Sequence, residues 1–328
     1  FVIRLKVPDE EISFNDLIRG KITFNTALLG DIVIAKSLRS PLYNFAATID
    51  DALMAISHII RGEDHLSNTP KQILLTRALG LEEPHYAHLP LILSPDRSKL
   101  SKRHLVTALR EYIEAGYLPE AMINFLALLG WHPIEDRESI TKKELIKEFS
   151  LDRVQKAGAV FNLQKLNWLN AYYIRQLEDK ELTEKLIPFV KPLGWHKDQE
   201  FLTKVVAVEK VRLKKLSEFP DLVSFFFTLP DYKKDLLAWK DQDPPKTASI
   251  LKETENILSG ILDLGFKKEI LEEQFSPLLQ KEGRGEVLWP FRVALSGSEA
   301  SPGPFEIAEV LGKEETIRRL EIAIKKLS

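Results

Sequence analysis

The spacing of apolar residues predicts a strand-rich beginning of the chain, followed by helices. Short apolar runs separated by turn residues such as Asn25 and Gly30 indicate a small β layer over residues 1 to about 40. Its expected strands are Phe1–Val7, Lys21–Phe24 and Asp31–Lys36. Apolar residues then recur at helical spacing over residues 43–54, which predicts the first helix.

A strand–helix–strand unit is predicted next. Residues 57–62 form a short apolar run that ends in a turn. In the helix that follows, Thr69 is the expected N-cap, Pro70 takes the first helical position and Gly80 marks the end. Residues 86–93 then indicate a second strand. Two strands joined through a helix are typical of a βαβ unit, so we expect these strands to be parallel.

The rest of the chain has the helical period almost throughout. Helices are predicted over 105–115, 119–129 and 142–149, and nearly every segment from about 177 to 328 fits the same period. Residues 241–245, Asp-Gln-Asp-Pro-Pro, are the best linker candidate in this half. The pattern therefore predicts a multidomain, mainly α protein.

Composition narrows the class of protein. The chain has 328 residues, and its 46 Lys+Arg against 48 Asp+Glu give a net charge of −2, which excludes a globally basic nucleic-acid coat protein but not a local basic surface. It has no cysteine, so it carries no disulfide framework and no Cys-ligated zinc, as expected in a reducing cytoplasm. No apolar run is long enough to span a membrane.

The densest candidate chemistry lies in the loop after the second strand, residues 94–103. It carries four cations and three serines beyond the carboxyl end of a predicted parallel strand, where α/β sheets bind ligands. Flexible lysines there suit a polyphosphate. From the residues alone, a solvated basic turn before a helix is the commoner interpretation.

A second candidate site follows the first strand of the βαβ unit, residues 57–62. Arg61 could fork onto a carboxylate, and Glu63 and Asp64 could hold an amine, a ribose hydroxyl or a metal ion. The alternative is a strand-end ion pair. Tyr43, at a helix start, could donate to a ligand or belong to the core. His85 and His88 lie three apart on a strand, so they face opposite sides, and no metal site is predicted.

These signals together resemble bacterial-type glutamyl-tRNA synthetases. Residues 99–103, Lys-Leu-Ser-Lys-Arg, are similar to the KMSKS signature of class I aminoacyl-tRNA synthetases. The likeness extends over essentially the whole chain, through Pro-Leu-Tyr-Asn-Phe-Ala at 41–46, Ile-Arg-Gly-Glu-Asp-His at 60–65, Phe-Asn-Leu-Gln-Lys-Leu at 161–166 and Pro-Phe-Arg-Val-Ala-Leu-Ser-Gly at 290–297.

The resemblance implies an enzyme that activates glutamate with ATP and magnesium and transfers it to tRNA. It implies a catalytic loop made of Lys99, Ser101, Lys102 and Arg103, with Lys102 on ATP. It places four further residues near ATP, namely Asp64, His65, Leu91 and Ile92. Tyr43 and Arg61 match the pair that reads the glutamate side chain. An arginine fork would favour glutamate over glutamine, because an amide offers no second acceptor oxygen.

The same resemblance implies a domain order. Residues 1–42 would end the acceptor-binding (connective peptide) insertion, and 43–93 would form the second half of a class I Rossmann-like nucleotide fold. Residues 94–176 would form a stem-contact domain with the KMSKS-like loop. Residues 177–328 would be the all-helical anticodon-binding region, with a subdomain split near 241–245.

The first class I signature, the HIGH motif, is absent from this sequence, and Phe1 already lies in a predicted strand. We therefore expect the downstream part of a glutamate–tRNA ligase, a cytoplasmic monomer without glutamate-dependent ATP–pyrophosphate exchange by itself. Its expected partners are L-glutamate and tRNA-Glu, with tRNA-Gln left open and no membrane. A zinc site in some relatives would lie upstream, so zinc is unknown. The alternative is a non-catalytic tRNA-binding or interaction protein derived from such an enzyme.

Overall fold

The computed structural model describes residues 1–98, 100 and 108–328, and these divide into two compact units. The first unit comprises Phe1–Glu111 and Pro119–Leu169. The second unit comprises Tyr112–Leu118 and Asn170–Ser328. The strands belong to the first unit, and the second unit is built from helices. Over the described part of the chain, no helix has the length and apolar character needed to cross a membrane.

The strands of the first unit form three small sheets. In chain order they are β1 (Ile3–Leu5), β2 (Glu11–Asp16), β3 (Gly20–Asn25), β4 (Ile32–Ser37), β5 (Ser40–Pro41), β6 (His58–Gly62), β7 (His85–Leu89), β8 (Ile92–Leu93) and β9 (Ala159–Val160). The sheets have the strand orders β1-β4-β5, β3-β2-β7-β6 and β8-β9. The predicted parallel pairing is confirmed, because β6 and β7 run parallel with Arg61 opposite His88.

Strand β2 is missing from the sequence prediction, although it lies inside the predicted β layer. It pairs antiparallel with β3 and parallel with β7, where Asp16 lies opposite Tyr86. Its inward positions alternate, with Ile12 buried, Phe14 half-buried and Asp16 buried. The intervening polar residues Ser13 and Asn15 hide this alternation in a count of apolar runs.

Consecutive residues of β7 pack into two different apolar clusters, because side chains alternate between the two faces of a strand. Tyr86 packs with Ile12, Ile73 and Leu74 on one face of the sheet. Ala87 packs on the other face, in a cluster with Ile18, Trp131, Ile140 and Val154. Both faces of the central strand are therefore covered, as expected for a parallel strand.

Four helices of the first unit agree with predicted ones within a few residues: α1 (Tyr43–Leu53), α2 (Thr69–Ala78), α4 (Pro119–Gly130) and α5 (Lys142–Glu148). Two more, α3 (Leu109–Glu114) and α6 (Leu163–Gln176), contribute to both units. α3 lies within the helix predicted over 105–115, of which residues 105–107 are outside the described part. One N-cap prediction is wrong. Thr69 is the first helical residue, with Asn68 at the N-cap position, and its hydroxyl binds other side chains.

The second unit contains the other α-helices of the described residues. These are α7 (Asp179–Val190), α8 (Gln199–Glu209), α9 (Phe219–Phe227), α10 (Pro244–Gly260), α11 (Lys268–Glu282), α12 (Arg284–Ser296), α13 (Pro304–Leu311) and α14 (Lys313–Leu327). The two prolines of the expected linker begin α10, with Asp243 at its N-cap. Proline suits the first turn of a helix, because its missing N–H would have no partner there.

A buried arginine ties three helices of this unit together. Arg319 of α14 is 1% exposed and donates to the carbonyl oxygens of Phe225 and Leu295, at 2.7 and 2.5 Å. Its Nε donates to Glu315 at 2.7 Å. The carbonyls lie in α9 and α12, so a single guanidinium satisfies acceptors of both helices in the core.

Candidate active site

The candidate site lies where the parallel strands of the four-stranded sheet end. One face of this sheet is apolar at its centre, with Ile12 and Tyr86 in a buried cluster. On the same face, Asp16 lies four residues beyond Ile12 on β2, and His88 lies two residues beyond Tyr86 on β7. Arg61 lies opposite His88 on β6. Since β2, β6 and β7 run in one direction, three polar side chains meet at their shared carboxyl edge.

Asp16 and His88 form a buried pair. They are 1% and 0% exposed, and His88 Nδ1 lies 2.6 Å from Asp16 Oδ2. The other carboxylate oxygen, Oδ1, accepts from the backbone N–H groups of Ile18 at 3.0 Å and Arg19 at 2.9 Å. The His88 backbone N–H also donates to Asp16 Oδ2, at 3.1 Å. Both oxygens of the Asp16 carboxylate therefore accept hydrogen bonds.

The protonation states of the pair follow from these contacts. Burial alone would raise the pKa of Asp16, but the hydrogen bonds from His88 and the backbone outweigh it, and the pKa lies below its usual value. Burial lowers the pKa of His88 from 6.5, and the cations Arg61 and Arg19 lower it further, against the opposing effect of Asp16. Near pH 7 the pair is an ionised Asp16 and a neutral His88.

Arg61 is half-buried and fixed by two neighbours. Its Nε lies 3.3 Å from His88 Nε2, and its Nη2 donates to Thr69 Oγ1 at 2.8 Å. Its guanidinium carbon lies 5.7 Å from the centre of the Tyr86 ring. In the part of the chain that the structure describes, Nη1 has no acceptor. The guanidinium is thus held on one side and retains donor capacity for a ligand.

Tyr43 and His65 are in contact. The Tyr43 hydroxyl lies 3.3 Å from His65 Nδ1, and the two ring centres are 5.5 Å apart. Asn68 Nδ2 lies 3.4 Å from the same histidine nitrogen, and Asn44 donates to Asn68 at 3.4 Å. The structure therefore brings one residue of the predicted glutamate pair against one residue predicted near the nucleotide. Tyr43 remains 54% exposed at this edge.

Glu63 has a structural role rather than an open carboxylate. It forms an ion pair with Arg19, and its Oε1 accepts from the Leu91 backbone N–H at 3.0 Å. It therefore ties the segment after β6 to the segment after β7. The strand-end ion pair that the sequence left as an alternative is present, although its cation is Arg19 and not Arg61.

The segment after β7 contains Leu91 and Ile92, both predicted near ATP. The Leu91 carbonyl accepts from Ala159 N–H at 3.0 Å, so both backbone groups of Leu91 already have partners. The Ile92 carbonyl accepts from Leu100 N–H at 3.2 Å, and the Ile92 side chain is 38% exposed. A ligand contact at Leu91 would therefore involve its side chain or the second lone pair of its carbonyl oxygen.

Asp64 lies close to the backbone of Gly62. A Cβ built on Gly62 would lie 2.5 Å from Asp64 Oδ1, so the carboxylate reaches back over the glycine. The predicted catalytic residues Lys99, Ser101, Lys102 and Arg103 lie outside the described residues, and their roles stay predictions. The described residues contain no cluster of three or more His, Asp or Glu side chains suited to a metal ion.

Comparisons with known proteins give the class first. The protein-family model described as "tRNA synthetases class I (E and Q), catalytic domain" matches residues 1–168. The family model described as "Anticodon binding domain" matches residues 181–324. Parallel strands with ligand-type residues at their carboxyl ends, followed by a helical unit, agree with this class. The fold is that of a class I catalytic domain followed by a mostly helical anticodon-binding part.

The particular family follows from the relatives. The chain is 43% identical to glutamate–tRNA ligase of Moorella thermoacetica over 99% of its own length and 68% of that protein. It is 43% identical to a glutamate–tRNA ligase of Thermoanaerobacter pseudethanolicus over 98% of its length and 68% of that protein. A crystal structure of a glutamate tRNA ligase from Elizabethkingia meningosepticum, in complex with its amino acid, matches with a TM-score of 0.89 at 35% identity, over 100% of this chain and 68% of that chain. The chain belongs to the glutamate–tRNA ligase family, which confirms the resemblance noted in the sequence.

Proposed function

We propose that the protein carrying this chain joins glutamate to tRNA-Glu at the expense of ATP. In the first step the glutamate α-carboxylate attacks the α-phosphorus of ATP, giving glutamyl-adenylate and pyrophosphate. In the second step a ribose hydroxyl of the terminal tRNA adenosine attacks the acyl carbon, and AMP leaves. Negative charge builds up on oxygen in both steps, so positioned cations are the catalysts that this chemistry needs.

The observation that carries the proposal is the position of Arg61. Its half-buried guanidinium lies at the carboxyl edge of the sheet, with two nitrogens fixed by His88 and Thr69. Nη1 and the second hydrogen of Nη2 can donate side by side to a carboxylate, which is the geometry of an end-on fork. The glutamate side chain is the substrate group that fits. Tyr43, exposed at the same edge, is the second proposed glutamate contact.

The nucleotide is proposed to lie along the segments after β6 and β7. Asp64 and His65 follow β6, while Leu91 and Ile92 follow β7, and the Glu63–Leu91 hydrogen bond keeps these two segments together. Lys102, with the rest of the loop at residues 99–103, is proposed to contact the ATP phosphates. We expect Lys102→Ala to slow adenylation by about 10²–10³-fold, the effect typical of one lost charge-stabilising donor.

The magnesium ion expected with ATP has no carboxylate cluster among the described residues. At nucleotide sites magnesium is usually bound by substrate phosphates and water together with one or two carboxylates. The helical second unit is proposed to bind the anticodon part of tRNA-Glu, and acceptance of tRNA-Gln stays open. We further propose that the protein acts as a monomer in the cytoplasm.

The role of Arg61 is tested by glutamate kinetics in the protein expressed from its complete reading frame. Hydrogen bonds to a charged group contribute about 1.5–3 kcal/mol, so Arg61→Gln should raise the glutamate KM about 10- to 100-fold. The KM for ATP should stay within about twofold, since this is near the scatter expected for remote changes. Arg77→Gln is the matched control, because Arg77 also donates a hydrogen bond to a partner, Glu83, but its side chain is 47% exposed. An unchanged glutamate KM in Arg61→Gln would remove Arg61 from the site.

A further inference from the structure

We propose that Asp16 and His88 are positioning residues for Arg61. Asp16 holds His88 in the tautomer whose Nε2 accepts a hydrogen bond from Arg61, and the guanidinium is thereby oriented for its ligand. The proposal rests on the proposed function only for the identity of that ligand, glutamate. The direction of the hydrogen bonds is a property of the chain alone.

The direction follows from which atoms are able to donate. The ionised Asp16 carboxylate only accepts, so the 2.6 Å contact requires a hydrogen on His88 Nδ1. A neutral imidazole carries one N–H, which leaves a lone pair on Nε2. Arginine only donates, and its Nε lies 3.3 Å from that lone pair. Asp16 therefore accepts from His88 Nδ1–H, and His88 Nε2 accepts from Arg61 Nε–H. The other neutral tautomer, with its hydrogen on Nε2, could form neither hydrogen bond.

Thr69 completes the arrangement. Its hydroxyl oxygen accepts from Arg61 Nη2 at 2.8 Å and lies 3.0 Å from His88 Nε2. Its own hydrogen can point to His88 Nε2 or to the His65 carbonyl, 3.4 Å away. Arg61 is therefore held at two nitrogens by groups that are themselves fixed. A threonine hydroxyl in this role also explains why Thr69 does not cap α2.

Burial makes the arrangement rigid. Thr69 and His88 are each 0% exposed, so water cannot replace a missing partner. The His88 ring centre lies 6.3 Å from that of Tyr86 and 6.5 Å from that of Phe14, so aromatic rings enclose it. The charged groups that face His88 are Asp16 from β2, Arg19 from the turn after β2, and Arg61 from β6.

Another interpretation is a hydrolytic triad, because Asp16, His88 and Thr69 have the contacts of an acid, a base and a hydroxyl nucleophile. Two observations argue against it. The Thr69 hydroxyl is inaccessible, since the residue is fully buried. The base nitrogen Nε2 also faces the Arg61 guanidinium, a permanent cation that disfavours a protonated histidine. The geometry therefore favours orientation of Arg61 over proton transfer.

The tautomer can be measured directly on this chain. Long-range proton–nitrogen correlation spectra of a histidine-labelled sample distinguish the two neutral forms, and His88→Gln assigns the signal by its loss. We expect the Nδ1-protonated form in the unmodified chain. In Asp16→Asn the amide Nδ2 replaces Oδ2 and donates to His88 Nδ1, so the signal should change to the Nε2-protonated form. An Nε2-protonated His88 in the unmodified chain would overturn the proposal.

Kinetics of the protein from its complete reading frame test what the tautomer does. Asp16→Asn should raise the glutamate KM about tenfold or more, the loss typical of one hydrogen bond to a charged group, with the ATP KM nearly unchanged. His88→Gln retains an acceptor near the position of Nε2, so it should stay closer to the unmodified protein than His88→Leu. Equal glutamate KM values for His88→Gln and His88→Leu would refute positioning, whether or not Asp16→Asn folds.

The two hypotheses fail in different ways. If Arg61→Gln leaves the glutamate KM unchanged, the proposed ligand of Arg61 is wrong, while the tautomer measurement still decides the role of Asp16. If Arg61→Gln raises the glutamate KM but Asp16→Asn and His88→Leu only lower the melting temperature, the proposed function stands and the positioning role falls.

Discussion

Gly116 is the position where a single methyl group tests the packing of the second unit most sharply. Its φ is +79°, in the left-handed region, and a Cβ there would lie 2.6 Å from Leu216 Cβ and 2.8 Å from Leu216 N. The Gly116 carbonyl accepts from that same Leu216 N–H at 3.2 Å. Asn170 Nδ2 lies 3.4 Å from the carbonyl as well. The methyl group of Gly116→Ala would therefore push against backbone that cannot rotate away.

Gly194 provides a matched control. Its φ is +77°, almost that of Gly116, but a Cβ there would meet nothing within 4 Å. Both alanine variants pay about 1 kcal/mol for a left-handed non-glycine residue. Gly116→Ala adds overpacking, which costs about 1–3 kcal/mol in well-packed sites. We therefore expect it to destabilise the second unit by about 2–4 kcal/mol, against about 1 kcal/mol for Gly194→Ala.

Urea unfolding of the chain, followed by circular dichroism and tryptophan fluorescence, measures the difference between the two variants. Hydrogen exchange at the Leu216 amide reports the local effect, because that amide donates to Gly116. Protection there should fall in Gly116→Ala and stay unchanged in Gly194→Ala. Equal unfolding midpoints for the two variants would refute the contribution of the close approach and leave only the backbone term.

Three further predictions concern the second unit. Burial raises the pKa of Glu209 to about 7 despite its Arg212 partner, so its contribution to stability is complete below about pH 4.5 and is lost as pH rises through 7. Glu209→Gln should therefore remove up to about 3 kcal/mol of the decline in stability between pH 5 and 8; an unchanged slope in melting temperature against pH would contradict this. Arg319→Met leaves buried carbonyls unpaired and should cost about 3 kcal/mol or more by urea unfolding, whereas Arg318→Met, on the exposed side of α14, should cost less than about 1 kcal/mol; similar losses would argue against the buried role. The chain should bind tRNA-Glu with an affinity that falls steeply with salt, because phosphates supply most contacts; absence of binding at low salt in a filter assay would count against a tRNA-binding unit.

Local patterns in the sequence predict much of the fold. The strands β6 and β7 and the helix α2 between them follow from apolar runs and from proline and glycine punctuation, and their parallel pairing follows from chain order. The helices of the second unit follow from the helical period. The prolines at 244 and 245 show the limit of such signals, because proline is common both in linkers and in the first turn of a helix.

The site was only partly predictable, because its contacts join distant positions. The sequence indicates Arg61 as a carboxylate binder, yet its orientation depends on His88, 27 positions away, and on Asp16, 72 positions from His88. No periodicity relates such residues. Glu63 is a second residue whose partner could not be predicted from the sequence. It resembles an open carboxylate in the sequence, but its ion pair with Arg19 forms only when the turn after β2 meets the end of β6.

The proposed activity is tested most directly by the charging of tRNA-Glu with radiolabelled glutamate, using the protein expressed from its complete reading frame. We expect charging that requires ATP, that prefers glutamate to glutamine, and that loses this preference in Arg61→Gln. Retained binding of tRNA-Glu without any glutamate charging would contradict the proposed activity and support a non-catalytic tRNA-binding protein.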